Sequence, residues 1–476
     1  MGIIGIGMLG FLAWSTPILA SAWAQESDTW SLQRRDWEWT EGRDPNRLVV
    51  KFTDDSGITL EHLPPEWEGL FVDATTVFSQ SSIELERTWR QLQKSHPNIS
   101  DLRTYVYLEW TDPAAIERIA LQLKNDPRIE HLYRAFAHQD PPSSVSVSFG
   151  RPPSETPDFF AQQRYFQPAP VGFGFEYAES WTRGSGIRIV DIEYAWDPTH
   201  EDLQNGPQEH AWGWNYNRYQ YHGNAVLGQL VAGDNGYGVR GTSLDAEVLM
   251  VSPFPSVDNY NVADAILSSA DFLTDGDVIL IEQQFSAFGN YCPVEVDPSV
   301  FDAIQWVVAQ NIVVVEPGGN GSQDLDDPQW GGWFDRSVQD STAIMVGGGT
   351  VGNSFQEPWE WAGGSSYGSR IDVQGWYEQI VTVGGEGMAD LYLPNQNLQQ
   401  AYTGRFGGTS GASPQVVSVV AAMNSLSIER YNQPWKPLEL RTLLSASGQA
   451  QPFEDAQQYW IGPMPNLQQL LWYWGM

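Results

Sequence analysis

The chain has 476 residues, 41% of them hydrophobic, enough for a sizeable core shared between one large domain and a smaller one. Its 59 Asp and Glu outnumber 25 Lys and Arg, and the net charge of −34 opposes binding to a phosphate backbone, so nucleic acid is not an expected partner. A single cysteine, Cys292, excludes an intramolecular disulfide and leaves the fold to its core.

Residues 1–24 carry no charged side chain and end in Ala22-Trp23-Ala24, an A-x-A-like cleavage signal. They read as a signal peptide, although the usual basic residue near Met1 is missing. No later stretch reaches the roughly eighteen apolar residues that span a bilayer. The product is therefore expected to be soluble and exported, outside the cell or in a periplasm, with no membrane contact after cleavage.

Residues 25–45 are polar and show no clear period. From Arg47 the pattern changes. "RLVVKFT" reads as a strand, "SSIELERTWRQLQKSH" as an amphipathic helix and "LRTYVYLEWT" as a second strand. "DPAAIERIALQLKND" has Asp at the cap and Pro in the first turn of a helix, and "RIEHLYRAF" reads as a closing strand. These make a small α+β domain with its core at about 46–138, inside an N-terminal region 25–140. Proline and serine then mark an exposed linker over 141–165.

From residue 166 to Met476 short apolar strands alternate with helices. "GIRIVDIE", "AEVLMVSP", "GDVILIEQQ", "IVVVEPGGN" and "STAIMVGGGT" are the strands; "HGNAVLGQLVAG", "NVADAILSSADFL" and "PSVFDAIQWVVAQN" are the helical stretches. This pattern predicts an α/β fold, a doubly wound, mostly parallel sheet with helices on both faces, whose ligands sit at the carboxyl ends of the strands.

Chemistry-bearing residues gather at those ends. In "IVDIEYAWDPTHEDL" Asp191 and Glu193 stand two apart, so a strand points both the same way. His222 opens a helical pattern, where the positive helix end favours its neutral, basic form. Ser410 follows two glycines at the start of an apolar helix, a place that exposes a nucleophile beside backbone N–H groups. Asn320 ends another buried strand and could supply an amide to an oxyanion. Each residue alone has an ordinary reading: a cap, a turn, a polar strand end. Together, at strand and helix ends of one sheet, they point to nucleophilic catalysis. Cys292, in "GNYCPVEV" with no histidine near it in sequence, reads as structural.

These stretches resemble the subtilisin-like serine proteases, the subtilases. "HGNAVLG" is similar to the family's HGTxVAG, "GTSGASPQV" to GTSMASPHV, "PGGNG" to the AAGN segment, and "HEDL" to HPDL. The order of acid, His, Asn and Ser also matches, and the resemblance runs from about 184 to at least 425. It implies a secreted serine endopeptidase with Ser410 as nucleophile, His222 as base and Asn320 in the oxyanion hole. It also implies polypeptide substrates and an N-terminal propeptide that assists folding and inhibits the enzyme. The family acid lies seven residues before the HPDL histidine, which here selects Glu193, with Asp191 as the alternative triad acid. By alignment Glu282, Gln283, Gln284, Pro317, Gly318 and Gly319 form the substrate-binding segments. Glu282 replaces a small residue beside the S1 pocket, and Glu316 and Pro317 replace alanines along its wall, so the added carboxylates could favour a basic P1 side chain. The chemistry needs no cofactor; calcium is plausible in so acidic a chain, but no loop has a ligand spacing that assigns a metal site. A monomer is expected. Two rival readings are a catalytically weak relative acting as a secreted binding protein, suggested by the altered acid motif, and a glycoside hydrolase, suggested by 22 tryptophans and paired carboxylates.

Overall fold

The computed structural model describes residues 41–141, 155–351 and 358–476, apart from positions 205, 207 and 217. The expected signal peptide, the polar stretch up to residue 40 and most of the expected linker lie outside the described residues.

The first described domain consists of β1 (Arg43–Phe52), β2 (Asp73–Thr76), α1 (Ser82–Leu92), β3 (Tyr105–Glu109), α2 (Pro113–Leu123) and β4 (Ile129–Phe136). Its strands pair antiparallel in the order β2-β3-β1-β4. Ser81 accepts from the Glu84 N–H and Asp112 from the Ala114 N–H, which fixes where the two helices begin. Strand alternation gives the sheet two faces. Leu48, Val50, Val106, Leu108 and Leu132 pack with Ile116, Ile119 and Leu123 of α2. Val49, Tyr105, Tyr107 and Tyr133 point the other way, into the second domain.

That domain runs in order through α3 (Phe175–Ala178), β5 (Arg188–Ile192), β6 (Gln208–Trp212), α4 (Gln220–Val231), β7 (Glu247–Val251), α5 (Val262–Ser269), β8 (Val278–Ile281), β9 (Phe285–Ala287) and β10 (Asn290–Cys292). It continues through α6 (Pro298–Val308), β11 (Val313–Pro317), β12 (Ile344–Val351), β13 (Pro358–Trp361), β14 (Val373–Trp376), β15 (Ile380–Val383) and β16 (Tyr402–Phe406). It closes with α7 (Thr409–Tyr431), α8 (Pro437–Ser447), α9 (Phe453–Gln458) and α10 (Leu467–Tyr473). The main sheet is ordered β6-β7-β5-β8-β11-β12, with β13 and β14 both on the far edge of β12. Only the β12–β13 pairing is antiparallel. The expected α/β architecture is present.

Period-two alternation sorts the strand side chains between two helical layers. Ile189, Val278, Leu280, Val313 and Val315 pack with α4 and α7. Val190, Ile192, Ile279, Ile281 and Val314 pack with α5 and α6, and the N-terminal domain joins that same core. At the join, the Tyr105 hydroxyl donates to Asp302 (2.8 Å), the Tyr133 hydroxyl to Asp297 (2.5 Å), and the Ser79 N–H to Asp264 (2.8 Å).

Candidate active site

The chain leaves β5 toward β6 and β7 on one side and β8 on the other, so the sheet's switch point lies between β5 and β8. Alternation carries Asp191 and Glu193 to the α4/α7 side of β5. The same alternation carries Glu282 there from β8. Ile192 pairs with Ile281 in the parallel register, and the Glu282 N–H donates to the Ile192 carbonyl at 3.0 Å. Glu193 and Glu282 are thus neighbours at the ends of adjacent strands, both buried.

His222 sits in the first turn of α4, and its Nδ1 is hydrogen-bonded to Glu193 Oε2. Glu193 Oε1 accepts from the Tyr194 N–H at 2.7 Å, which fixes the carboxylate against the strand end. A Cβ on Gly223 would lie 2.8 Å from the Glu193 Cγ, so glycine is what lets α4 approach the acid. Asp191 lies one pleat further in. Its Oδ2 accepts from Trp196 Nε1 at 3.2 Å, and its Oδ1 has no partner among the described residues. Burial first, and the Glu193 charge second, push its pKa well up. Of the two acids considered from the sequence, Glu193 is the one bonded to His222.

Ser410 is the second residue of α7, reached through Gly408 at φ +79°. Asn320 leans on the same turn: its Oδ1 accepts from the Thr409 N–H at 2.8 Å. The Asn320 amide nitrogen donates to Gln284 Oε1 at 3.3 Å, and so does the Asn320 backbone N–H at 3.0 Å. His222, Ser410, Glu282, Gln283, Gln284 and Pro317 line one small pocket. Tyr194 and Thr409 complete its wall, and Gln139 and Pro141 enter it from the segment after β4. The Tyr194 hydroxyl donates to the Gln139 carbonyl at 2.6 Å, while the His138 ring stands 5.9–6.4 Å from those of Tyr194, Tyr216, Phe254 and Tyr260. The chain's own N-terminal domain therefore runs into the cleft beside Ser410.

The family model of the subtilases matches residues 174–459, more than half of the chain. The chain belongs to the subtilase family. Solved structures agree on the fold. Fervidolysin from Fervidobacterium pennivorans, a keratinolytic enzyme related to subtilisin, superposes with a TM-score of 0.53 at 14% identity, over 93% of this chain. The chain spans 64% of fervidolysin's length. The epidermin leader peptide processing serine protease EpiP from Staphylococcus aureus gives a TM-score of 0.57 at 13% identity, over 89% of this chain and 97% of its own. The second domain alone is too short to make up that share of this chain, so the N-terminal domain takes part in the likeness. No curated protein matches.

Within this subtilase some expectations need correction. Glu316 does not reach the S1 wall. It falls on the opposite face of β11 from Pro317, is fully buried, and accepts from the Glu295 N–H at 3.1 Å. Gly318 and Gly319 do not line the pocket either. The Gly318 N–H donates to the Val346 carbonyl at 2.8 Å, and Gly319, at φ +86°, lets the chain pass 3.0 Å from the Cys292 backbone where a Cβ would stand. Cys292 is buried in the β9–β10 hairpin, its thiol 3.6 Å from the Phe285 carbonyl, as a structural role requires. "HEDL" is a structural lock: His200 Nε2 bonds the Ala401 carbonyl at 2.9 Å, and Asp202 accepts from Asn235 and the Val239 N–H. The aromatic surround of His138 was not legible, because its rings come from separate loops with no shared period.

One group of possible metal donors occurs among the described residues: Glu193, His222 and Glu282, within 4.8 Å of one another. Glu193 and His222 are already bonded to each other, so a cation there would have to break that bond.

Proposed function

We propose that this subtilase is a secreted serine endopeptidase, made as a zymogen, with Ser410, His222 and Glu193 as its triad. The Glu193–His222 hydrogen bond, in one pocket with Ser410, is the observation that carries this reading. The Ser410 hydroxyl attacks a peptide carbonyl while His222 Nε2 takes its proton. Glu193 holds the Nδ1–H and stabilises the imidazolium, a role defined by geometry and not by carboxylate length. The Ser410 backbone N–H and the Asn320 amide receive the oxyanion once Gln284 yields that amide. The intermediate collapses to an acyl-enzyme as the amine leaves with the proton from His222, and water then releases the acid by the same route.

None of these steps calls on a cofactor, and the protein acts as a monomer on polypeptides. The N-terminal region inhibits until it is removed, a role supported by Gln139 and Pro141 lying in the pocket with Ser410. The test is cleavage of an unfolded polypeptide by full-length and linker-cut protein. Cleavage by the cut form, little by the intact form and none by cut Ser410→Ala supports the reading. Equal activity of Ser410→Ala overturns it.

A further inference from the structure

Glu282 is a buried acid that the triad does not use. It is 4% exposed and, the Ser410 hydroxyl apart, neither carboxylate oxygen has a hydrogen-bond partner among the described residues. Its neighbours make that unusual. From β5, Glu193 stands beside it in register and Asp191 one pleat deeper. From α4 comes His222, whose donor atom lies within 4.8 Å of both glutamates, and from α7 comes Ser410 on the pocket wall. No Lys or Arg is among the groups that act on it; they are Glu193, Asp191 and the Ser410 hydroxyl. Three carboxyls thus share one buried site with a single imidazole. Glu193 is committed to the imidazole by its hydrogen bond. Adjacent carboxyls without a cation do not all ionise. Asp191 and Glu282 are the two buried acids without the imidazole bond, and Glu282 is the one on the pocket wall.

We propose that Glu282 is a further proton-holding group of the catalytic site, a neutral carboxylic acid whose O–H is donated at the junction of Ser410 and His222. Burial first, and the Glu193 charge second, raise its pKa well above the carboxylate range, while the Ser410 hydroxyl opposes the rise. The proton stays on Glu282 through the reaction; the proton in transit is the one from Ser410 to His222 to the leaving amine. Neutral, Glu282 places no charge beside the developing oxyanion. Ionised, it places a further anion near His222, which holds the imidazolium proton back from the leaving amine, and near the oxyanion, which it repels. Turnover should therefore fall as pH rises through the titration of Glu282.

This inference rests on the peptidase reading, and its test separates the two. Glu282→Gln keeps the shape and is neutral at every pH. For the linker-cut wild type, kcat should drop about tenfold for each pH unit once Glu282 ionises, and in Glu282→Gln that alkaline limb should be absent. Infrared difference spectra across the same pH range read the proton without any catalysis. A protonated-carboxyl band that disappears on alkalinisation in the wild type, and is missing from Glu282→Gln, supports the proposal even if no substrate is cleaved; that second result would remove the peptidase reading alone. An unchanged alkaline limb in Glu282→Gln, or no such band in the wild type, overturns the proposal. So does a divalent cation whose binding, read by calorimetry, is lost in Glu282→Gln, since a metal would then neutralise the cluster. If Glu282→Gln does not fold, Glu282→Ser takes its place in both measurements.

Discussion

A glutamate at position 193 has one more methylene than the aspartate of the family motif, and α4 accommodates it through Gly223. The Glu193 carboxylate meets the His222 Nδ1 and is pinned on its other oxygen by the Tyr194 N–H. Loss of the charge at unchanged shape, in Glu193→Gln, should lower kcat by about 10⁴-fold, because the imidazole loses both its tautomer and its counter-charge. Asp191→Asn should keep most of the rate, since Asp191 faces Trp196 and not the imidazole. Steady-state kinetics of the two variants checks this. Gly223→Ala would drive a methyl into Glu193 and should cost about 1–3 kcal/mol of stability together with a fall in kcat. Denaturant unfolding and kinetics on the same preparation read both. The catalytic side chains were legible because each sits beside punctuation with a physical cause: a strand end, a Gly-rich turn, a helix start. The exclusion of Glu316 from the cleft was legible too. Counting in twos along "VVVEP" sends Glu316 and Pro317 to opposite faces, and alignment to a motif hides that count.

At the scale of elements, α4 and β15 meet at Gly228. A Cβ there would come within 2.8 Å of the Val383 N–H and 2.9 Å of its Cβ, and Thr382 Oγ1 donates to the Ala225 carbonyl across the same contact. Gly228→Ala should therefore separate the pair and destabilise the protein by about 1–3 kcal/mol, measurable as a lower denaturation midpoint at unchanged slope. The strands of the main sheet could be read from apolar runs and the helices from caps and stripes. Others could not. β2 is "DATT", almost entirely solvent-facing, so it has no apolar alternation to detect. β6 is "QEHAW", an edge strand whose position is set by pairing with β7. α4 begins at Gln220, ahead of His222, because Tyr219 takes a left-handed conformation (φ 59°) that no local composition signals.

At the scale of the whole molecule, the two domains meet over carboxylates. Asp264 and Asp302, which accept hydrogen bonds from the N-terminal domain, are buried at the join, and burial pushes each up to about 6. Raised acids favour the docked state when protonated. Their contribution to docking is complete below the ordinary aspartate range and is lost as pH rises through about 6. A chain cut in the linker should therefore hold its N-terminal domain most tightly in acid and release it more readily toward neutral pH. Size-exclusion chromatography across that range reads the change. Elsewhere in the second domain, Arg370 is fully buried between Glu295 (2.6 Å) and Asp372 (2.9 Å). Arg370→Leu leaves Glu295 buried without its cation, while Asp372 keeps Arg336, and should cost about 3–5 kcal/mol by denaturant unfolding.

The central claim is that Ser410 is activated by His222 and Glu193. The most direct measurement is the rate at which a fluorophosphonate labels the linker-cut protein, with the labelled peptide mapped. Label on Ser410 in the wild type, none in Ser410→Ala and a rate lowered by orders of magnitude in Glu193→Gln is the predicted result. Wild-type labelling in Glu193→Gln, or no label on folded wild type freed of its N-terminal region, would contradict it.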